Sequence, residues 1–456
     1  MQFKLPFCAC VLVGLWSLFA PASDAAVPEQ QALLLKSRLT PVGAERAGNA
    51  DGTIPAWTGG YAAHTPGAQG KEPEFDPFAG ETPLFSITAA NYRDYADKLP
   101  DGAKRLFEKH PGYRMDIYNA HRTAAAPDWI YDNIFKNATR AHAAPEGIAY
   151  GVEGAAGGIP FPIPQNGFEA MWNHLLAFWG PARELTISNY VVPENGAIEQ
   201  VSSYKEIADF PYYYPGATPD SFGGYYFKTL HIAVAPPARA GEGYLNWQPI
   251  NSKRNDFLAW RLLPGEHRVR KAPGISYDVP DIDSAGFINL DEYYLFFGGL
   301  DHYDFKILGK KEMYVPYNNN RLYTRPVAEI LGRDHANPDD LRYELHRVWV
   351  IDGTLAQGKH DIVTHRRLYL DEDTWLAVYS DAWDEQGRLW KFGQATMYLV
   401  PDVPMVIMGS QFEYDFELGG YAYSFAFDAR TQPYKVTPPH PASLFSPESL
   451  SARSVR

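Results

Sequence analysis

The chain has 456 residues, with 41 Lys and Arg against 54 Asp and Glu, 45% hydrophobic residues and 14% aromatic ones. A net charge of −13 excludes a nucleic-acid binder that depends on a basic footprint. The aromatic content excludes a disordered chain.

Residues 1–25 read as a cleavable signal peptide. Lys4 gives a short basic start, Leu5 to Ala20 is an uncharged apolar run, and Ser23-Asp24-Ala25 is a small-x-small cleavage site. Both cysteines, Cys8 and Cys10, fall inside it, and neither follows a lipobox. Cleavage would remove one base, Lys4, and one acid, Asp24, leaving 431 residues at the same net charge. The mature chain would then be unlipidated, without disulfides or thiol chemistry. No later stretch is long and apolar enough to span a bilayer as a helix. The expected location is the periplasm, in reach of the outer membrane.

The first half reads as helical. Residues 27–39 fit a short helix, followed by a Gly- and Pro-rich stretch over 40–83. Thr88 and Asp101 are placed to cap two helices, and Pro127-Asp128 starts a third. The clearest helix covers 166–179. Asn166 is an N-cap with Glu169 at the capping-box position. Phe168, Met171, Trp172, Leu175, Leu176 and Trp179 make one apolar stripe at helical spacing.

From about residue 183 the period becomes two. Residues 185–192 and 198–204 flank Asn195-Gly196, a type I′ hairpin signal. Further strands are expected over 257–263, 267–271, 305–315, 344–351, 362–370, 375–382, 389–400, 403–414 and 421–427. Their turns fall at Pro264-Gly265, Asp352-Gly353, 371–373, 385–387 and Gly419-Gly420. Short links force antiparallel pairing, and a sheet of this size curls. The expected fold is α+β, mainly β: one large curved antiparallel sheet with helices packed in its concave face. Residues 26–430 form one domain in this reading, and 431–456 a loose polar tail.

Several long strings resemble the domain-of-unknown-function family 1329. They are Leu39–Gly60 (LTPVGAERAGNADGTIPAWTGG), Pro83–Leu99 (PLFSITAANYRDYADKL), Gly157–Leu176 (GGIPFPIPQNGFEAMWNHLL), Lys310–Asn318 (KKEMYVPYN) and Arg342–Leu355 (RYELHRVWVIDGTL). The resemblance runs in order over nearly the whole mature chain. It implies an exported Gram-negative envelope protein with a LolA/LolB-like half-barrel over an apolar cavity. It also implies partners among resistance-nodulation-division type exporters and an outer-membrane protein. The family supplies no agreed catalytic or ligand residues.

Catalytic and metal motifs are absent from the sequence. There is no G-x-S-x-G elbow and no H-E-x-x-H, so no catalytic, cofactor or metal set is assigned. The acid pairs Asp281/Asp283 and Asp371/Asp373 read as solvated turn residues. A hydrophobic ligand surface is expected from Trp172, Leu175, Leu176 and Trp179 on the helix and Trp260, Trp349, Tyr369 and Trp375 on strands, with plain core as the alternative. Glu344, His346 and Arg347 are costly to bury on one strand unless paired. Either they anchor a ligand headgroup at the cavity mouth, or they pair with neighbouring strands or face water. The expected function is a non-enzymatic periplasmic carrier or accessory protein for lipid-like cargo, working with an envelope transport system. The alternatives are an envelope hydrolase with an unfamiliar site and a structural envelope protein.

Overall fold

The computed structural model describes residues 26–61, 75–263, 268–272, 277–400, 403, 405–431 and 433–454. The expected signal peptide and the Pro264-Gly265 turn lie outside them.

The chain opens with α1 (Glu29–Ala32), β1 (Phe85–Thr88), α2 (Asp101–Lys109) and β2 (Arg114–Tyr118). Next come α3 (Asp128–Arg140), the two-residue strands β3 (His142–Ala143) and β4 (Val152–Glu153), and α4 (Gly167–Leu175). Six strands follow: β5 (Ala182–Pro193), β6 (Glu199–Asp209), β7 (Tyr225–Ala235), β8 (Gly243–Pro249), β9 (Leu258–Leu262) and β10 (Arg270–Lys271). After a long irregular segment come β11 (Tyr303–Pro316), α5 (Val327–Ile330) and β12 (Tyr343–Leu355). The meander β13 (His365–Asp371), β14 (Ala377–Trp383), β15 (Leu389–Val400), β16 (Met405–Asp415) and β17 (Gly420–Ala426) precedes β18 (Lys435–Val436) and α6 (Pro447–Ser454).

All of these strands except β3 and β4 join one open sheet, in the order β1-β2-β12-β13-β14-β15-β16-β17-β5-β6-β7-β8-β9-β10. β11 pairs with β12, and β18 with β5. The mainly antiparallel architecture expected from the sequence is therefore present. One pair is parallel: β2 meets the start of β12 at Tyr343 and Glu344. The Asp352-Gly353 turn does not form, because β12 runs through it and Gly353 pairs with both Phe305 and Arg366. Residues 433–454 are folded rather than loose. Leu444, Phe445 and Leu450 close an apolar cluster with Leu230, Leu245 and Leu262.

Both faces of the central strands are covered. One cross-strand row is Arg367, Asp381, Phe392, Tyr414 and Tyr421. Helix α2 sits on it. The Asp381 carboxylate accepts the N–H groups of Asp101 and Gly102 at 2.9 and 2.8 Å, so a distant strand satisfies two orphan donors of the helix start. A Cβ on Gly102 would lie 2.1 Å from Phe392 Cγ. Gly102→Ala should cost at least about 1–3 kcal/mol by overpacking, read as a lower urea midpoint. An unchanged midpoint would contradict this seating of α2.

The opposite rows are Arg366, Ala382, Lys391, Asp415 and Leu368, Ser380, Gly393, Glu413, Ala422. Such a row suits a wet face, yet Arg366, Lys391 and Glu413 are all buried. The irregular segment between β10 and β11 covers them. Asp291 binds Arg366 at 2.7 Å, Glu292 binds Lys391 at 2.7 Å, and Gln411 donates to the Glu292 carbonyl.

Candidate functional site: the apolar cavity beside helix α4

Helix α4 begins as its sequence dictates. The Asn166 side chain accepts the Glu169 N–H at 3.0 Å, and Glu169 accepts the Gln165 N–H and the Asn166 amide. Burial pushes the Glu169 carboxyl up to about 7, against the lowering by these two donors. The helix ends at Leu175, four residues before the expected stop. The Leu176 carbonyl accepts the Tyr213 hydroxyl and the Trp179 carbonyl accepts the Tyr434 hydroxyl. Tertiary donors thus satisfy carbonyls that further helix would have used.

Just past this end lies a cavity of about 20 Å³. Leu175, Trp179, Phe210, Tyr226, Phe227, Tyr294 and Phe297 line it, together with His174 and Arg183. Phe210 stacks on Phe227 with ring centres 4.8 Å apart, and Trp179 meets Tyr294 edge-on at 5.2 Å. His174 donates from Nε2 to the Phe296 carbonyl at 2.9 Å and accepts the Ala377 N–H on Nδ1 at 3.2 Å. Burial lowers its pKa to about 4, so it is neutral near pH 7. Arg183 lies over the Trp179 and Phe210 rings. Its charge is met by Glu206 at 2.8 Å, which also binds His231 at 2.8 Å.

The outer wall of the cavity belongs to the irregular segment. Tyr294 and Leu295 are consecutive residues with φ of 55° and 64°. Two non-glycine residues in the left-handed region are uncommon. Such strain persists only where the surroundings over-determine it, and it clusters at ligand clamps and switch regions.

The eight residues expected to line a ligand surface are dispersed. Leu175 and Trp179 reach the cavity. Trp172 and Leu176 are buried in the main core, and Trp172 donates its indole N–H to the Ile148 carbonyl. Trp349 and Trp375 stack on each other at 5.7 Å. Tyr369 lies on the α2 side and donates to Asp381. Trp260 packs in the separate cluster under α6. The sequence reading missed Arg183, Phe210, Tyr226, Phe227, Tyr294 and Phe297. The string Tyr293-Tyr294-Leu295-Phe296-Phe297 was the available signal: five apolar residues with no alternation, outside any strand.

The polar trio also divides. Glu344 and His346 are fully buried and face each other at 3.2 Å, whereas Arg347 turns to Glu372 at 3.1 Å. Glu344 and His346 thus pair within β12, and only Arg347 pairs with the segment that follows β13. Of the two acid pairs only Asp283 keeps partial exposure, which corrects the reading of solvated turn residues. Asp281, Asp371 and Asp373 are buried, and Arg122 grips Asp373 with two hydrogen bonds of 2.8 and 2.7 Å. That arginine is remote in sequence, so local context gave no sign of it.

The model of the family described as "Protein of unknown function (DUF1329)" matches residues 86–451. The uncharacterized protein PA3922 of Pseudomonas aeruginosa is 35% identical over 445 residues, spanning 96% of this chain and 97% of its own. The chain belongs to the DUF1329 family. A solved DUF1329 family protein from Desulfovibrio piger is similar over 62% of this chain and 95% of its own, at 14% identity and TM-score 0.42. A putative outer membrane lipoprotein-sorting protein domain from Vibrio parahaemolyticus is similar over 62% of this chain and 96% of its own, also at 14% identity and TM-score 0.42. No helix among the described residues of this DUF1329 protein is long and apolar enough to cross a membrane.

Proposed function

We propose that this DUF1329 protein is a periplasmic carrier or accessory protein for lipid-like cargo, which enters at the cavity between α4 and strands β5–β7. The observation that carries the reading is the aromatic cavity closed by the strained Tyr294-Leu295 segment. About 20 Å³ is room for roughly one water molecule. Cargo therefore enters only if that wall moves, and the left-handed residues are where a second arrangement costs least. A chain of about ten methylenes gains roughly 8 kcal/mol on burial, less the cost of ordering and of opening the wall. The resulting weak binding suits a shuttle that must release what it carries. A wider groove of about 580 Å³ near α5 is lined by Arg321, Arg325, Arg333, Asp339 and Asp340, a chemistry unsuited to acyl chains. An exporter of the resistance-nodulation-division type and an outer-membrane protein are the partners in this proposal.

The test is native mass spectrometry of protein purified without detergent from its own periplasm, paired with uptake of a fluorescent fatty acid. Co-purifying apolar species and saturable uptake are expected, with Trp179→Ala increasing uptake by enlarging the cavity. Protein free of such species that takes up no probe, in both wild type and variant, would overturn the proposal.

A further inference from the structure

A second constellation lies at the end of β13, apart from the cavity. Asp371, Glu372 and Asp373 follow one another and are all buried. Glu372 faces cations: Arg347 at 3.1 Å, Lys310 at 2.8 Å and Arg122 at 3.4 Å. Asp371 and Asp373 face His346 of β12 instead. One ligand atom from each of His346, Asp371 and Asp373 lies within 4.8 Å of the other two.

The histidine is fixed. Its ring stacks on Tyr317 with centres 4.0 Å apart. Its Nε2 lies 3.2 Å from Glu344 Oε2. Glu344 also accepts from Arg342, Asn318 and the His121 N–H, so it acts as an acceptor and takes the Nε2 proton. In the neutral ring that leaves a lone pair on Nδ1. Nδ1 lies 3.7 Å from Asp371 Oδ1, too far for a hydrogen bond. Asp371 Oδ1 is buried and has no hydrogen-bond partner among the described residues. The Nδ1 atom and an unpartnered carboxylate oxygen therefore face each other in a dry interior. An ion is one occupant that satisfies a buried polar atom left in that state.

The geometry points to a binding site for one divalent transition-metal ion, of the zinc or manganese class, held by His346 Nδ1, Asp371 Oδ1 and one oxygen of Asp373. The surrounding contacts are of the kind that orient ligands. Glu344 fixes the imidazole, Thr374 holds Asp371 Oδ2 at 2.8 Å, and Arg122 holds Asp373. Arg122 uses one lone pair on each Asp373 oxygen, and another remains for a metal. Bond lengths of about 2.0–2.2 Å require the three donors to draw in modestly. Imidazole with carboxylates suits zinc, manganese or iron rather than the all-oxygen shell of calcium. Three protein donors leave a position for water.

The experiment strips the full-length mature protein with a chelator, then titrates it calorimetrically with zinc chloride and with manganese chloride. One equivalent is expected to bind. Asp371→Asn, which keeps the shape of the side chain, should weaken binding at least about tenfold while circular dichroism stays native. Binding well below one equivalent for both ions, or unchanged binding by Asp371→Asn, overturns the inference. If that variant does not fold, X-ray absorption of the metal-loaded wild type decides. One imidazole with oxygen donors supports the site, and a shell without imidazole overturns it.

Discussion

Replacing Glu206 by alanine is expected to destabilise the protein by about 3–5 kcal/mol, the cost of stranding a buried charge. Its partner Arg183 is buried beneath the Trp179 and Phe210 rings and has Tyr294 as a neutral neighbour at 2.9 Å. Neither ring nor hydroxyl can replace the carboxylate. Urea unfolding of wild type and Glu206→Ala measures the loss. The double variant Arg183→Leu with Glu206→Leu should recover much of it, because removing both charges avoids the unpaired one. A Glu206→Ala protein within about 1 kcal/mol of wild type, the range of surface pairs, would mean that the pair is not dry.

The same residue sets a pH dependence. Burial alone would raise the Glu206 pKa, but the Arg183 charge and the His231 contact overcome it and hold the group down at about 2. In the unfolded chain it titrates near 4.3. The folded state thus binds fewer protons between these values. The stabilisation is complete above the unfolded pKa and is lost as pH falls through about 2. It amounts to roughly 3 kcal/mol. Glu206→Gln should flatten this part of the acid unfolding curve.

Trp172→Asp is expected to prevent folding. Trp172 is buried, donates to the Ile148 carbonyl, and does not line the cavity. Truncating a buried tryptophan costs about 3–5 kcal/mol, and an unpaired carboxylate in the same place adds the penalty of burying a charge. Loss of the circular-dichroism signal or of soluble yield is the expected result. A folded Trp172→Asp protein that had lost its cargo would instead move Trp172 from core to cargo surface. Trp179, past the end of α4, is the contrasting position, since its ring borders the cavity.

Much of the fold was legible because it depends on local rules. The start of α4 follows from its cap and α2 and α3 from apolar spacing, whereas Thr88 ends β1 and Asp101 is the first residue of α2 rather than its cap. The hairpin at Asn195-Gly196 is present but not as type I′: Asn195 does not have positive φ, and Gly196, with φ of 80°, donates to the Pro193 carbonyl at the end of a longer loop. The meander from β13 to β17 follows from alternation and short links. Strands β7 and β8 were missed, although Tyr225–Ala235 and Gly243–Pro249 form antiparallel pairs, each with one register shift. Polar residues interrupt their alternation, and Lys228 crosses the Trp247 ring in place of an apolar contact.

The site was less legible, for a reason visible in β14 to β16. Alternation tells which residues share a face, not whether a second layer covers it. Lys391 and Glu413 look solvent-facing by pattern, yet both are buried and Glu292 of the covering segment binds Lys391. Asp371 and Asp373 look like turn acids, yet Arg122 arrives from far away in sequence to bind Asp373.

The amino-acid sequence by itself determined the family, the mainly antiparallel sheet and the acidic, aromatic-rich character of the chain. These rest on composition and on contacts between near neighbours. Only the tertiary structure decided which ionisable groups are dry, which aromatic rings enclose the cavity and where Arg183 and His346 find their partners. Those outcomes depend on segments that meet across the sheet, and burial in a low-dielectric interior has no local signature.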